Sequence, residues 1–130
     1  MWIAAAIASC ASLIAFLYYF YRGEILLYGD AVAHINIARR LIDSREPGIA
    51  KLGTVWLPMP HVLQLSFIWM DPLWRTGIGG SIPSMVAYVL GAVGIFRLIR
   101  ARTTAYTAWV GFAIFAGNPS LLYMQSTAMT

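Results

Sequence analysis

Charge is scarce in this chain. Asp, Glu, Lys and Arg make up 11% of its 130 residues while 60% are apolar, against roughly a quarter charged and about half apolar in ordinary globular domains. That balance excludes a typical soluble domain and indicates a membrane environment. Cysteine is scarcer still. The one thiol, Cys10, rules out an internal disulfide framework and a metal cage built of cysteine alone, and its place in an apolar run predicts a thiol buried within a span. The net charge of +4 does not imply a nucleic-acid partner, because the basic residues are scattered and their densest group flanks an apolar run. They read as topology signals rather than a phosphate-binding face. No internal repeat and no low-complexity linker is present.

What is present is a succession of apolar runs. Trp2 to Tyr21 carries no charge over twenty residues, enough at 1.5 Å per residue to cross a hydrocarbon core of roughly 30 Å. Ala4, Ala8, Ser12 and Ala15 give it a small-residue face for a neighbouring helix, and Tyr18, Tyr19 and Tyr21 crowd its exit as an interfacial belt. A secretory signal is the rival reading, but its basic n-region is missing; Ile7-Ala8-Ser9-Cys10 has the look of a lipoprotein cleavage box, with a leader far too short. Ile82 to about Phe96 is a second uncharged run, with Pro83 placed in a first helical turn and Ala87 and Gly91 four apart as a small contact. It ends in Arg97, Arg100 and Arg102, which the positive-inside rule puts in the cytoplasm. Tyr106 to Gly117, with Gly111 on one face, is the core of a third span, broken by Asn118-Pro119. The expectation is an all-α integral membrane protein of three spans, at about 2–21, 82–99 and 104–118. Its amino terminus lies inside, and 22–80 and 119–130 lie outside. Ending within Gln125-Ser126-Thr127-Ala128-Met129-Thr130, with no basic stop, the chain reads as the amino-terminal part of a larger bundle, inactive alone.

The segment 22–80 holds all five acidic residues against six basic ones, a net charge of +1. Within it Asp30 is placed to N-cap a helix of about 31–43. Ala31, Ile35, Ala38 and Ile42 would form its apolar stripe, with Asn36, Arg40 and Asp43 opposite, as in a helix lying on a membrane surface. Pro47-Gly48 ends that region. Leu57 to about Met70 is a second apolar piece, too short to span, and reads as re-entrant or interfacial. His34 lies one turn from Asp30 and can orient the carboxylate, bind phosphate or ligate a divalent metal, though two ligands four residues apart do not define a metal site. Arg39 and Asp43 are spaced as an ordinary helix ion pair. Trp56, Trp69, Trp74 and Trp109 read as interface belt or packing.

Taken together, Gly29-Asp30 with His34 and Ala38-Arg39, then Trp56-Leu57-Pro58-Met59-Pro60-His61, then Arg75-Thr76-Gly77 and Gly80-Ser81-Ile82-Pro83-Ser84, resemble in order the membrane glycosyltransferases of the GT-C fold. That superfamily includes protein O-mannosyltransferases and lipid A aminoarabinose transferases. Asn118-Pro119 onward looks like the start of their second outer loop. The resemblance implies transfer of a sugar from a polyprenyl-phosphate donor to a lipid, glycan or protein hydroxyl on the extracytoplasmic face, usually with inversion, and a bacterial cytoplasmic membrane location. It makes Asp30 the candidate general base, a role consistent with a carboxylate within reach of an attacking hydroxyl. Ala31 stands where those enzymes carry a second acidic residue, and Leu57 where the aminoarabinose enzymes carry a phosphate-contacting lysine, so substrate identity does not carry over. Candidate contacts to the carrier phosphate are Arg75, His61 and Lys51 in that order, with His34 beside them; no cofactor is specified beyond the option of a divalent metal. The rival classes are a transporter fragment and a small polytopic membrane interaction subunit.

Overall fold

The computed structural model describes residues 1–52 and 56–128, and these form helices and turns with no strand among them. Helix α1 is Trp2–Tyr21, α2 Gly29–Arg39, α3 Pro58–Ile68, α4 Asp71–Arg75, α5 Ile78–Arg100, α6 Ala105–Ala116 and α7 Pro119–Ser126, with a 3-10 turn at Ile49–Leu52. Two of them, α1 and α5, are long and apolar enough to cross a membrane. Met129 and Thr130, the end of the polar terminal run, lie outside the described residues.

Helix α5 is the post around which the others stand, in contact with α1, α2, α3, α4, α6 and α7. The contact faces are made of small residues. Ala4, Ala8 and Ser12 of α1 are buried, as the small-residue spacing predicts, together with Ala92 of α5 and Ala108 and Ala116 of α6. Around them Phe96 meets Trp109 at 4.7 Å between ring centres and Phe112 edge-on at 6.3 Å. The large apolar side chains face the other way: Ile14, Leu90, Leu98 and Ile114 are each about two-thirds exposed. Small and polar inside with bulky apolar outside reverses the order of a water-soluble helical core.

Several local expectations change. Cys10 is exposed on the outward face of α1, not buried. Helix α5 begins at Ile78, four residues earlier than its apolar run suggests, because Gly77 adopts a left-handed φ of 78° and starts the helix there. Pro83 therefore sits in the second turn, where it withholds one amide from the ladder. Ala87 points outward, and it is Ser81, Ser84, Tyr88 and Ala92 that α5 buries; Gly91 sits against Phe115.

The helical path after Arg102 is discontinuous. Helix α6 has twelve residues, roughly 18 Å of rise, and its last carbonyl, Ala116 O, accepts from the Tyr88 hydroxyl midway along α5 at 2.7 Å. The expected break follows: Asn118 Oδ1 accepts the Ser120 and Leu121 amides and, with Pro119 in the first turn, starts α7. Residues 119–126, expected to open a loop, are thus helical and packed on α1 and α5. Gln125 is buried there, accepting from the Ser12 hydroxyl at 2.7 Å and donating to Ser12 O at 3.2 Å. The carbonyls that end α7 are closed by side chains from elsewhere: Ser81 donates to Ser126 O, Ser84 to Thr127 O and Gln64 to Ala128 O. This polar seam fixes the end of α7 to α5 and α3, and so brings residue 128 against Ile35 of α2.

Candidate functional site

Helix α2 starts at Gly29, with Tyr28 in extended conformation ahead of it. Asp30 is therefore inside the first turn and makes no side-chain capping bond, where the sequence predicted it as the N-cap. Its negative charge still lies at the favourable end of the helix dipole. Asp30 is exposed and takes part in no ion pair or hydrogen bond among the described residues. The other four carboxylates are all engaged: Glu24 with Arg22 at 2.6 Å, Asp43 with Arg39 at 3.5 Å, Glu46 with Lys51 at 3.8 Å, and Asp71 with Arg39.

The face of α2 that carries Ala31, His34, Ile35 and Ala38 is buried against α3 and α5, so this stripe seats the helix on protein and not on a membrane surface; Ile42 falls past the helix end and is exposed. Across that interface His34 Nδ1 and His61 Nε2 are 2.9 Å apart, with ring centres 4.9 Å apart. The two nitrogens thus lie between the ring centres, and the contact is a hydrogen bond through one shared proton. Trp56 closes the other side of His34, its ring centre 5.0 Å away. Burial holds both imidazoles below the ordinary histidine range; the charge of Asp30 offsets part of this for His34, and His34 itself adds to it for His61. His61 Nδ1 and Gln64 Oε1, on one face of α3, are buried with no hydrogen-bond partner among the described residues. Among the described residues no three His, Cys, Asp or Glu side chains come together as a metal site.

Helix α3 accommodates Pro58 and Pro60 because first-turn amides have no acceptor within the helix. It buries His61, Gln64 and Ile68 and exposes Leu57, Met59, Val62, Leu63 and Trp69, an inverted pattern like that of α1 and α5. Its carboxyl end is held by Arg39 of α2. One guanidinium nitrogen donates to Ile68 O at 2.7 Å and Trp69 O at 3.0 Å, the other meets Asp71, and the group lies over the Trp74 ring 5.0 Å from its centre. Arg39 is thus far more than the local partner of Asp43. Sequence spacing could not reveal this, since Ile68 and Asp71 are 29 and 32 residues away.

Of the predicted site residues, the structure joins His34 to His61 and sets Asp30 one turn from His34 on the same helix. It does not join the others. Arg75 ends α4 exposed and in no ion pair among the described residues, and Lys51 in the 3-10 turn faces Glu46. Two residues not predicted for the site, Asn36 and Arg40, share a groove of about 360 Å³ with Gly29 and Trp56. Comparison with protein-family models, with curated proteins and with solved structures finds no match for this chain.

Proposed function

We propose that this chain is part of a GT-C-type membrane glycosyltransferase, with Asp30 as general base. In this reading a sugar passes from a polyprenyl-phosphate donor to an acceptor hydroxyl on the extracytoplasmic face of a bacterial cytoplasmic membrane. The observation that carries the reading is the isolation of Asp30. Among the described residues the other four acidic side chains are in ion pairs, whereas Asp30 is exposed and unpaired, on a helix held in place by Arg39 and by the histidine pair. A carboxylate with no structural partner, on a rigid element, is free for a proton. In the reaction the acceptor hydroxyl gives its proton to Asp30 as its oxygen attacks the anomeric carbon. The bond from that carbon to the carrier phosphate breaks, its electron pair leaves with the phosphate, and attack from the opposite side inverts the centre.

Membrane insertion is supported by the inverted burial pattern of α1, α3 and α5. The third crossing is then α6 and α7 in series, broken at Gly117–Pro119, since α6 alone falls short of roughly 30 Å. Transporters also use broken helices at their binding sites, which keeps a transporter fragment as the second reading. The buried polar groups between α7 and α1, namely Ser12, Gln125 and Ser126, are all neutral. Ion-coupled transport calls for ionisable groups at that depth, so the enzyme is preferred. Asp30→Asn in the full-length protein should insert and accumulate normally yet lose at least about a hundredfold of sugar transfer. Unchanged turnover would reduce Asp30 to a charge at a helix end.

A further inference from the structure

The seam between α1 and α5 carries two grooves in line. At one end a groove of about 550 Å³ is lined by Met1, Phe96, Arg97 and Arg100. Further along, Ser9, Val86 and Leu90 line a second, mostly apolar groove of about 270 Å³. The two helices run antiparallel here, since Met1 meets the Arg97 end of α5 while Ser9 meets Val86. From Arg97 back to Leu90 is seven residues, roughly 10 Å along the helix. Gly94 stands between them on the same stripe and has open space where a side chain would be, so α5 sends no side chain between the two grooves at that position. Charge along the seam is one-sided. Arg97 and Arg100 are three residues apart, neighbours on one helical face, and both are exposed. Arg97 takes part in no ion pair or hydrogen bond among the described residues, and Arg100 donates to Thr103 O at 3.2 Å. All five acidic residues lie between 24 and 71, in the segment that joins the opposite ends of α1 and α5. The arginines therefore have no carboxylate beside them, and the apolar residues along the seam, Val86 and Leu90, are each more than half exposed.

We propose that the α1–α5 seam binds one anionic phospholipid, its phosphodiester held by Arg97 and Arg100 and one acyl chain laid past Gly94 into the groove beside Leu90. The inference rests on membrane insertion and not on glycosyl transfer. Two guanidinium forks present paired donors to phosphate oxygens, and a basic pocket at the end of a transmembrane helix lies at the depth of lipid headgroups. A free phosphate would use the first groove alone. A lipid uses both, because its chain must leave the headgroup along the apolar surface that begins where the arginines end. A zwitterionic lipid fits less well, since it brings a cation to a pocket that already holds two and has no carboxylate to receive it. The floor of the pocket is preformed: Phe96 is buried, its ring centre 4.7 Å from that of Trp109 and 6.3 Å from that of Phe112, so little ordering is needed when the headgroup arrives.

The test uses the full-length protein in detergent, titrated with phosphatidylglycerol or with phosphatidylcholine of the same acyl chains, and bound lipid is counted by native mass spectrometry. Wild type should hold phosphatidylglycerol at least about tenfold more tightly than phosphatidylcholine. The double variant Arg97→Gln, Arg100→Gln should weaken phosphatidylglycerol roughly ten- to a hundredfold, the loss of charge-assisted hydrogen bonds, and leave phosphatidylcholine unchanged. Gly94→Phe keeps both cations and places its ring in open space on an exposed face, so the fold is spared while the path of the chain is obstructed; it should weaken phosphatidylglycerol about tenfold. Arg45→Gln, which removes an exposed cation outside both grooves, should bind as wild type. Equal binding of the two lipids by wild type would overturn the proposal, as would undiminished phosphatidylglycerol binding in the double variant or in Gly94→Phe, or an equal loss in Arg45→Gln. So would displacement of the lipid by inorganic phosphate at a matching concentration, which would reduce the seam to a simple anion pocket. Asp30→Asn separates this inference from the glycosyl-transfer reading, because it should bind phosphatidylglycerol as wild type does. If its sugar transfer is also unchanged, the general-base assignment falls and the lipid site stands.

Discussion

His34 Nδ1 and His61 Nε2 meet at 2.9 Å across the α2–α3 interface, so two buried imidazoles share one proton and form the polar centre of that contact. Both are held below the ordinary histidine range by burial. The unfolded chain therefore binds protons near pH 6.5 that the folded one refuses until lower pH. Stability from this pair is full above the unfolded value and drains away as pH falls below it toward the folded values. The groups facing the pair are Asp30, whose charge opposes the shift, and the neutral Trp56 ring. Thermal unfolding in detergent should show a midpoint that falls between about pH 7 and pH 5, and His61→Gln should flatten that slope. An equal slope in His61→Gln would place the pH dependence elsewhere.

Arg39 binds two carbonyls through one nitrogen and a carboxylate through the other, so its planar fork and not its charge does the work. Arg39→Lys should therefore destabilise nearly as much as Arg39→Ala. A loss of about 2–3 kcal/mol is expected for either, the scale of a hydrogen bond to a charged group left unmade. Asp71→Asn, which keeps an acceptor at an exposed position, should cost less than about 1 kcal/mol. Chemical denaturation of the three variants checks the order, and full stability in Arg39→Lys would refute the fork.

Residues whose role is set by period were legible in the sequence. The Ala4, Ala8, Ser12 face of α1, the break at Asn118-Pro119 and the two short helices of the 22–80 segment follow from spacing, length and turn chemistry, and the structure has them. Contacts set by tertiary closure were not legible. Nothing local to Arg39 announces Ile68 or Asp71, and nothing near Gln125 announces Ser12, 113 residues earlier. The preference of Asp for N-cap positions puts Asp30 one step outside its helix, whereas Tyr28 supplies the extended residue and the helix starts early. The site was half legible. His34 and His61 are each candidates on sequence alone, but their pairing needs α2 and α3 to lie side by side and run the same way, so that His34 meets His61 and Arg39 meets Ile68.

Membrane orientation is open to a direct measurement. The cluster Arg97, Arg100 and Arg102 gives the end of α5 and the turn after it positive charge, and under the proposed function the positive-inside rule predicts that end in the cytoplasm and the α2–α4 segment outside. In a Cys10→Ser background, Arg45→Cys puts a thiol at an exposed position of that segment. Intact cells treated with a membrane-impermeant maleimide should label it fully. Labelling that appears only after lysis would invert the topology and move Asp30 away from any extracytoplasmic donor.

The junction of three segments at Gly80 gives the sharpest packing test. A methyl group there would stand 2.7 Å from Ile35 Cγ2 and would run into the Ala128 side chain, so α5, α2 and the strand of chain after α7 can meet only over a glycine. None of the three can yield easily: Ile35 is pinned by the α2 face that includes His34, and residue 128 is held by Gln64 at 3.3 Å. Gly80→Ala should therefore destabilise by about 1–3 kcal/mol, the usual cost of overpacking. Gly94, on the same helix, has open space where its side chain would be. Gly94→Ala should raise stability by up to about 1 kcal/mol through helix propensity alone. Opposite signs for the same substitution on one helix, read as unfolding midpoints in detergent, separate a packing constraint from a backbone preference; a shared sign would mean that the three segments do not close over Gly80.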